Sequence, residues 1–282
     1  MSKSILITGG TGAFGKAFVE RLLNGAEYDR ICIYSRDEYK QAMMRDQFND
    51  NQRLRFFIGD VRDKERLSQA MRGINDVVHA AALKRIEVGA YNPGEMCKTN
   101  VIGTMNVVEA AADQKVERVV TLSSDKAYQP ISAYGQSKAL AESLTLAANH
   151  VYGVHGPRYA ATRYGNVANS TGSVIPRWIA AIESGDEIVV TDPYCTRFWM
   201  TQEEAVGLIL DTLEEMPSDR AAIPILPAFE LGDLVKAMEI KVARYIGLPA
   251  WEKKHEGMCD GNTSDTARRM TVDEIKEALK RV

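Results

Sequence analysis

The 282-residue chain has little of several features that would each point to a different class of protein. Its four cysteines, Cys32, Cys97, Cys195 and Cys259, are scattered and form no C-x-x-C pair, which argues against a disulfide frame or a zinc site and for free thiols in a reducing compartment. Histidine is equally scarce, and no ligand spacing connects His79, His150 or His155 to a metal. No apolar run approaches the roughly 18 to 20 residues that a membrane span needs. The opening MSKSILITGG enters a strand-like run at once, without the apolar core and small-residue cleavage site of a leader. Net charge is only −3, so neither nucleic acid nor a membrane surface is an expected partner. No repeat, low-complexity tract or long linker is found. What remains is the expectation of a cytoplasmic globular protein acting on small molecules.

What is present is an alternation of short apolar strands with helix-like segments, the pattern of a parallel sheet with helices on both faces. Strands are expected at 4–8, 30–35, 54–59, 76–81 and 118–123, and helices at 14–24, 37–49, 64–71 and 93–114. Further on, helices are expected at 132–151, 174–183, 202–215, 231–240 and 272–279, and strands at 160–164, 187–191 and 223–226. The fold class is therefore α/β, a Rossmann-type doubly wound parallel sheet with a smaller C-terminal substrate-binding lobe. Residues 1–167 are assigned to the dinucleotide-binding domain and 168–282 mainly to the lobe, with elements of about 201–240 packing back onto the first domain.

The first turn reads Thr8-Gly9-Gly10-Thr11-Gly12-Ala13-Phe14-Gly15, a G-x-x-G-x-x-G that follows a strand and opens a helix. Glycines there permit a tight turn and close approach of backbone to a pyrophosphate, whose charge the helix N-terminus meets. The second strand ends in Tyr34-Ser35-Arg36-Asp37. Arg36, helped by Ser35 and Lys40, suits the 2′-phosphate of NADP; Asp37 as a ribose acceptor is the competing choice and would suit NAD. Asp60 and Val61 are placed against the adenine, and Ala80-Ala81-Ala82 against the cofactor, where small side chains allow close approach.

Residues 121–138, TLSSDKAYQPISAYGQSK, hold two proton-transfer couples. Tyr134 and Lys138 form a Y-x-x-x-K pair on one helix face, where Lys138 can stabilise the phenolate and make Tyr134 a base near neutral pH. Asp125 and Lys126 add an adjacent acid and amine, more than a simple alcohol dehydrogenase needs.

Taken in order, TGGTGAFG, GDVRD, HAAALK, KTNVIGT, SSDKA, YGQSK, RYGNV, GSVIP and TRFWMT make the chain resemble the extended short-chain dehydrogenase/reductases, and among them the soluble UDP-N-acetylglucosamine 4,6-dehydratases of the 5-inverting type that begin pseudaminic acid synthesis. The resemblance implies that Tyr134, activated by Lys138, takes the proton of the sugar 4-hydroxyl as hydride passes from C4 to NADP⁺. Lys126 then removes the C5 proton, Asp125 protonates the departing 6-hydroxyl, and hydride returns to C6. It implies that Ser123 or Ser124 bonds the 4-oxygen, that Lys84 reaches the nicotinamide ribose or the substrate, and that Asn100 borders the active site. Asn166, Val174 and Arg197 fall to the UDP-sugar, and a homo-oligomer is expected. For Lys126 to act as a base, burial or a nearby cation must lower its proton affinity.

Three departures from that group lie where the nucleotide sugar should bind. Thr171 stands where the relatives carry arginine, the arginine of their R-P-G-E-K-x-H-E is absent ahead of Glu252-Lys253-Lys254-His255-Glu256, and the chain is shorter than expected. A 4-epimerase or 4-reductase on the same scaffold is the alternative activity, and a non-catalytic NADP-sensing protein the alternative class.

Overall fold

The structure is a computed structural model, and it describes residues 3–170 and 172–281. Thr171 lies outside the described residues. Six parallel strands, β1 (Ser4–Thr8), β2 (Arg30–Ser35), β3 (Leu54–Ile58), β4 (Asp76–His79), β5 (Arg118–Leu122) and β6 (Arg158–Thr162), form one sheet in the order β3-β2-β1-β4-β5-β6. The order reverses between β1 and β4, which opens a crevice at the carboxyl ends of these two strands. The period of two assigns each strand to two cores: Ile5, Ile7, Ile31, Ile33 and Val120 face one cluster, and Leu6, Cys32, Val77 and Val119 the other.

Helices α1 (Ala13–Asn24) and α2 (Glu38–Gln47) cover the first face, and α3 (Lys64–Ala70) the second. After β4 come α4 (Ile86–Tyr91), α5 (Pro93–Met96), a π-helical run Cys97–Ile102 and α6 (Gly103–Asp113). The single helix expected over 93–114 thus contains a wider π turn, and α4 was not expected at all. The 20-residue α7 (Ala133–Tyr152) is capped by Ser132, whose hydroxyl accepts from the Gly135 N–H, and it packs beside α6 and β6.

The second half begins with α8 (Val174–Ser184), followed by the short strands β7 (Val189–Val190) and β8 (Thr196–Phe198). Helix α9 (Gln202–Glu215) starts with a capping box built by Thr201 and Glu204, and it buries Ala205, Val206, Ile209 and Leu213 in the first-face cluster of the sheet. Then follow β9 (Ala228–Glu230), α10 (Leu231–Ala237), β10 (Arg244–Tyr245), β11 (Gly257–Cys259), β12 (Asn262–Thr263) and α11 (Val272–Leu279). A third core of Ile175, Trp178, Trp199, Phe229, Leu234 and Ile275 joins α8, α10 and α11. The strand expected at 223–226 does not form: Pro224 and Pro227 remove N–H donors, Ile225 is fully exposed, and only Ala222 bridges to Thr162.

Candidate active site

A cleft of about 1370 Å³ runs from the β1–α1 turn, past the ends of β4 and β5, to α8 and the segment before β11. At its floor Gly9 has φ +68°, and a Cβ there would lie 2.8 Å from the Ala81 Cα. Gly15 is equally constrained, since its Cβ would meet the Gly10 carbonyl at 2.3 Å. These two contacts set α1 flush against the turn, with Thr11, Gly12, Ala13 and Phe14 lining the cleft. No side chain caps α1 and no acid occupies its first turn, so its leading N–H groups are left for an anion. The cradle fits a pyrophosphate. Ala80, Ala81 and Ala82 line the cleft just beyond β4, not within the strand.

At the end of β2, Asp37 caps α2 by accepting from the Lys40 N–H at 3.0 Å, an interaction that holds its carboxyl below the usual range. The Lys40 ammonium lies 3.4 Å from the same carboxylate. The Ser35 hydroxyl accepts from Gln41 at 3.0 Å, and the exposed Arg36 guanidinium is 3.7 Å from Asp60. Burial works against ionisation of Asp60, but hydrogen bonds from Arg62 outweigh it and keep the carboxyl low. Val61 is buried against Gly103 and lines the cleft beside Asp60.

The catalytic candidates converge where β5 ends. Ser123 and Ser124 follow the strand, a single 3-10 turn carries Asp125 and Lys126, and α7 brings Tyr134 and Lys138 into the same cleft. The Ser124 hydroxyl donates to Asp125 Oδ1 at 2.8 Å, and Lys126 Nζ donates to the same oxygen at 3.0 Å. Asp125 is fully buried, and its Oδ2 has no partner among the described residues. Burial pushes the Asp125 carboxyl up, against the pull of Lys126. Burial likewise raises the Tyr134 phenol, while the charge of Lys126 and the neighbouring Ser124 hydroxyl draw it down. Lys138 donates to the Leu122 carbonyl, and burial takes its amine down to about 8 against the opposing charge of Glu142. Among the neighbouring charges, Lys126 lowers the Tyr134 phenol, whereas Asp125 and Glu256 raise it.

Lys126 itself departs from expectation. Burial does lower its proton affinity, but Asp125 and Glu256 together outweigh burial, so the amine is raised and rests as an ammonium ion. Glu256 was missed in the sequence. It is 3% exposed, and its Oε1 lies 3.4 Å from Lys126 Nζ. It lies in the charged run Lys253-Lys254-His255-Glu256, where its signal was the match to the last residue of R-P-G-E-K-x-H-E.

Asn100, expected at the border of the active site with its amide on the chain or a water and counted among the substrate contacts, holds the chain: it is buried, and its amide accepts from the Leu83 N–H at 2.8 Å and donates to the Leu83 carbonyl and to Ser137 Oγ, each at 2.9 Å. From the π run it fixes the loop after β4 to α7, while its neighbour Thr99 faces the cleft. Lys84, Asn166, Val174 and Arg197 do line the cleft. Arg197 donates to the Thr196 carbonyl at 2.8 Å and to the Lys254 carbonyl at 3.1 Å, with Glu252 at 3.5 Å. Among the described residues, Thr99 Oγ1, Ser123 Oγ, Asp125 Oδ2, Asn166 Oδ1, Ser173 Oγ and Glu256 Oε2 are buried cleft atoms without a partner. Buried polar atoms normally have one, so this concentration suits a polar ligand.

Residues 5–277 match the family described as polysaccharide biosynthesis protein. Over 264 residues the chain is 44% identical to a UDP-N-acetylglucosamine 4,6-dehydratase (inverting) of Campylobacter jejuni subsp. jejuni serotype O:23/36 (strain 81-176), spanning 93% of this chain and 79% of that protein. It is also 41% identical over 266 residues to a UDP-glucose 4-epimerase of Rickettsia rickettsii (strain Sheila Smith), spanning 92% and 78%. Among solved structures, Pen from Bacillus thuringiensis superposes with a TM-score of 0.94 at 31% identity, covering 100% of this chain and 99% of that one. The dTDP-glucose 4,6-dehydratase DesIV from Streptomyces venezuelae, solved with NAD and TYD, shares the fold at a TM-score of 0.81 and 21% identity, with 98% and 96% covered. The chain belongs to the polysaccharide biosynthesis protein family, built on the extended short-chain dehydrogenase/reductase fold.

Proposed function

We propose that the protein is a cytoplasmic, NADP-dependent 4,6-dehydratase that converts UDP-N-acetylglucosamine to a 4-keto-6-deoxy nucleotide sugar. The observation that carries this reading is the pair of buried Asp125 and half-buried Lys126, 3.0 Å apart, in the same cleft as Tyr134 and Lys138. A site that only exchanges hydrogen at C4 has no use for a second buried acid and amine.

Bound in the glycine cradle, the pyridine nucleotide supplies a reversible two-electron acceptor for the sugar carbon skeleton. Tyr134 takes the 4-hydroxyl proton, aided by the Lys126 charge and by Ser124, while Ser123 Oγ, buried and unpartnered, is available to the 4-oxygen. Lys138, near neutrality in its proton affinity, relays the proton from the phenol. The resulting 4-ketone acidifies the C5–H bond.

For elimination, one proton crosses the contact from the Lys126 ammonium to Asp125, whose affinity burial has raised. The pair then consists of a neutral amine and a carboxylic acid. Lys126 takes the C5 proton, and Asp125 gives its proton to the 6-oxygen, which leaves as water. The sugar diphosphate is assigned to the α8 N-terminus, which has no capping side chain, and to Arg197.

The cofactor preference rests on Arg36, whose exposed guanidinium meets, among the described residues, a 3.7 Å contact to Asp60 and suits a 2′-phosphate. Arg36→Ala is expected to weaken NADP binding by about tenfold or more while leaving NAD binding near its starting value. Titration of both nucleotides by intrinsic fluorescence checks this; equal losses would remove Arg36 from the discrimination.

The activity is tested by incubating the purified protein with UDP-N-acetylglucosamine, without added cofactor, and weighing the sugar nucleotide by mass spectrometry. Loss of one water is expected. An unchanged mass accompanied by a new C4 epimer would instead support the activity for which the Rickettsia relatives are named.

A further inference from the structure

Residues 252–264 fold back over the 3-10 turn that carries Asp125 and Lys126. Lys253 Nζ donates to the Tyr128 carbonyl at 2.5 Å, and the Tyr128 hydroxyl donates to Asp260. Arg163, paired with buried Glu142 of α7, donates to the Met258 carbonyl. Ser264 closes the segment, its Oγ accepting from the Glu256 N–H at 2.9 Å and its N–H donating to the Glu256 carbonyl at 2.7 Å. These ties fix the backbone on either side of Glu256, whose carboxylate lies 3.4 Å from Lys126 Nζ.

We infer that Glu256 is a positioning residue for elimination: it holds the Lys126 side chain from a second element and governs its charge during proton removal from C5. The inference rests on the dehydratase reading above. Two observations beyond the resemblance support it. Glu256 is 3% exposed, so its carboxylate acts on Lys126 with little solvent screening. Among the described residues its Oε2 is buried without a hydrogen bond, and Lys253 lies 3.6 Å from it. Burial works against its charge, but Lys126, Arg197 and Lys253 outweigh burial and hold the carboxyl below the usual range, so Glu256 stays a carboxylate beside Lys126.

The charges around the pair give the sign of the effect. Lys126 faces Asp125, Glu256, Arg197 and Tyr134; Glu256 faces Lys126, Arg197 and Lys253; Asp125 faces Lys126, Glu256 and Tyr134. Positive charge grows on Lys126 as it takes the C5 proton, and Glu256 stabilises that growth. The same carboxylate also holds a proton on the resting amine, which draws the acid limb of the rate to higher pH. Removing the charge should therefore slow elimination at its optimum while letting the amine deprotonate at lower pH.

The test is the pH profile of water loss from UDP-N-acetylglucosamine in wild type, Glu256→Gln and Glu256→Asp. Glu256→Gln is expected to lower kcat about tenfold and to move its acid limb down by about one pH unit, with KM and NADP affinity changed less than about twofold. Glu256→Asp, which withdraws the carboxylate by one methylene, is expected to shift the limb in the same direction by a smaller amount, and it carries the test if the glutamine variant does not fold. A variant profile that superimposes on wild type after scaling overturns the inference, even if kcat falls, because a merely structural loss lowers the rate without moving the limb. If wild type itself loses no water, the dehydratase reading fails; if wild type dehydrates and the variant profiles do not move, only the role of Glu256 fails.

Discussion

Replacing Lys126 with alanine is expected to cut dehydration by about 10²–10⁴-fold while NADP remains bound. The variant retains Tyr134, Lys138 and the glycine cradle, so it can still form the C4 ketone. That step is slower because the largest pull lowering the Tyr134 phenol is gone. Reduced nicotinamide should therefore accumulate, visible in its absorbance, without loss of water. The substitution also strands Asp125 and Glu256 without the ammonium they share, and breaking a buried pair in this way costs on the order of 3–5 kcal/mol.

The pH dependence of that loss has a definite sign. Asp125 already has its proton affinity raised by burial, and removing Lys126 raises it further. A carboxyl with a raised native affinity favours the folded state below its unfolded value, and that stability is lost as pH rises through the native one. The melting temperature of Lys126→Ala should thus approach wild type on acidification and fall below it toward alkaline pH. Undiminished turnover would remove Lys126 from the mechanism.

Tyr134→Phe is expected to block the sequence one step earlier. Loss of the phenol should lower water loss by about 10²–10⁴-fold, and here no reduced nicotinamide should accumulate, because the proton of the 4-hydroxyl has no acceptor. The buried Asp125, Lys126 and Glu256 charges remain mutually compensated, so melting should stay close to wild type. Accumulation of reduced nicotinamide in Tyr134→Phe would assign C4 deprotonation to another group, of which Lys138, brought to about 8 by burial, is the nearest in chemistry. The two variants divide the reaction: one should stop after the ketone and the other before it.

The sheet was legible because burial on both faces forces continuous apolar runs, and strands at 4–8 and 30–35 were readable to the residue. The glycine turn was legible for a similar reason, since Gly9 and Gly15 occupy places where a Cβ has no room. The π run at Cys97–Ile102 was not, because its residues keep an ordinary helical pattern and only the backbone geometry sets it apart. Nor was the strand expected at 223–226 avoidable from hydrophobicity alone; its two prolines were the contrary signal.

At the catalytic centre, local spacing located Asp125, Lys126, Tyr134 and Lys138, all within fourteen residues of one another. It misjudged the charge of Lys126, because the second of the two carboxylates that raise it arrives from the far C-terminal segment. Glu256 lies in a run of charges whose burial depends on Arg163, Ser264 and Tyr128, and no periodicity announces such long-range ties. Arg197, by contrast, was recognised as a cleft residue, although its backbone partners in 252–264 could not be foreseen.

The central claim is that the Asp125–Lys126 pair removes the C5 proton and expels the 6-hydroxyl of a ketone made by Tyr134. Its most direct test is turnover of UDP-N-acetylglucosamine in D₂O by the wild-type protein, followed by NMR of the sugar nucleotide. The expected product has lost one water, carries a carbonyl at C4 and holds deuterium at C5, because the Lys126 amine exchanges with solvent before the carbon is reprotonated. A sugar nucleotide that keeps its 6-hydroxyl and its C5 hydrogen, whether or not C4 has been inverted, would contradict it.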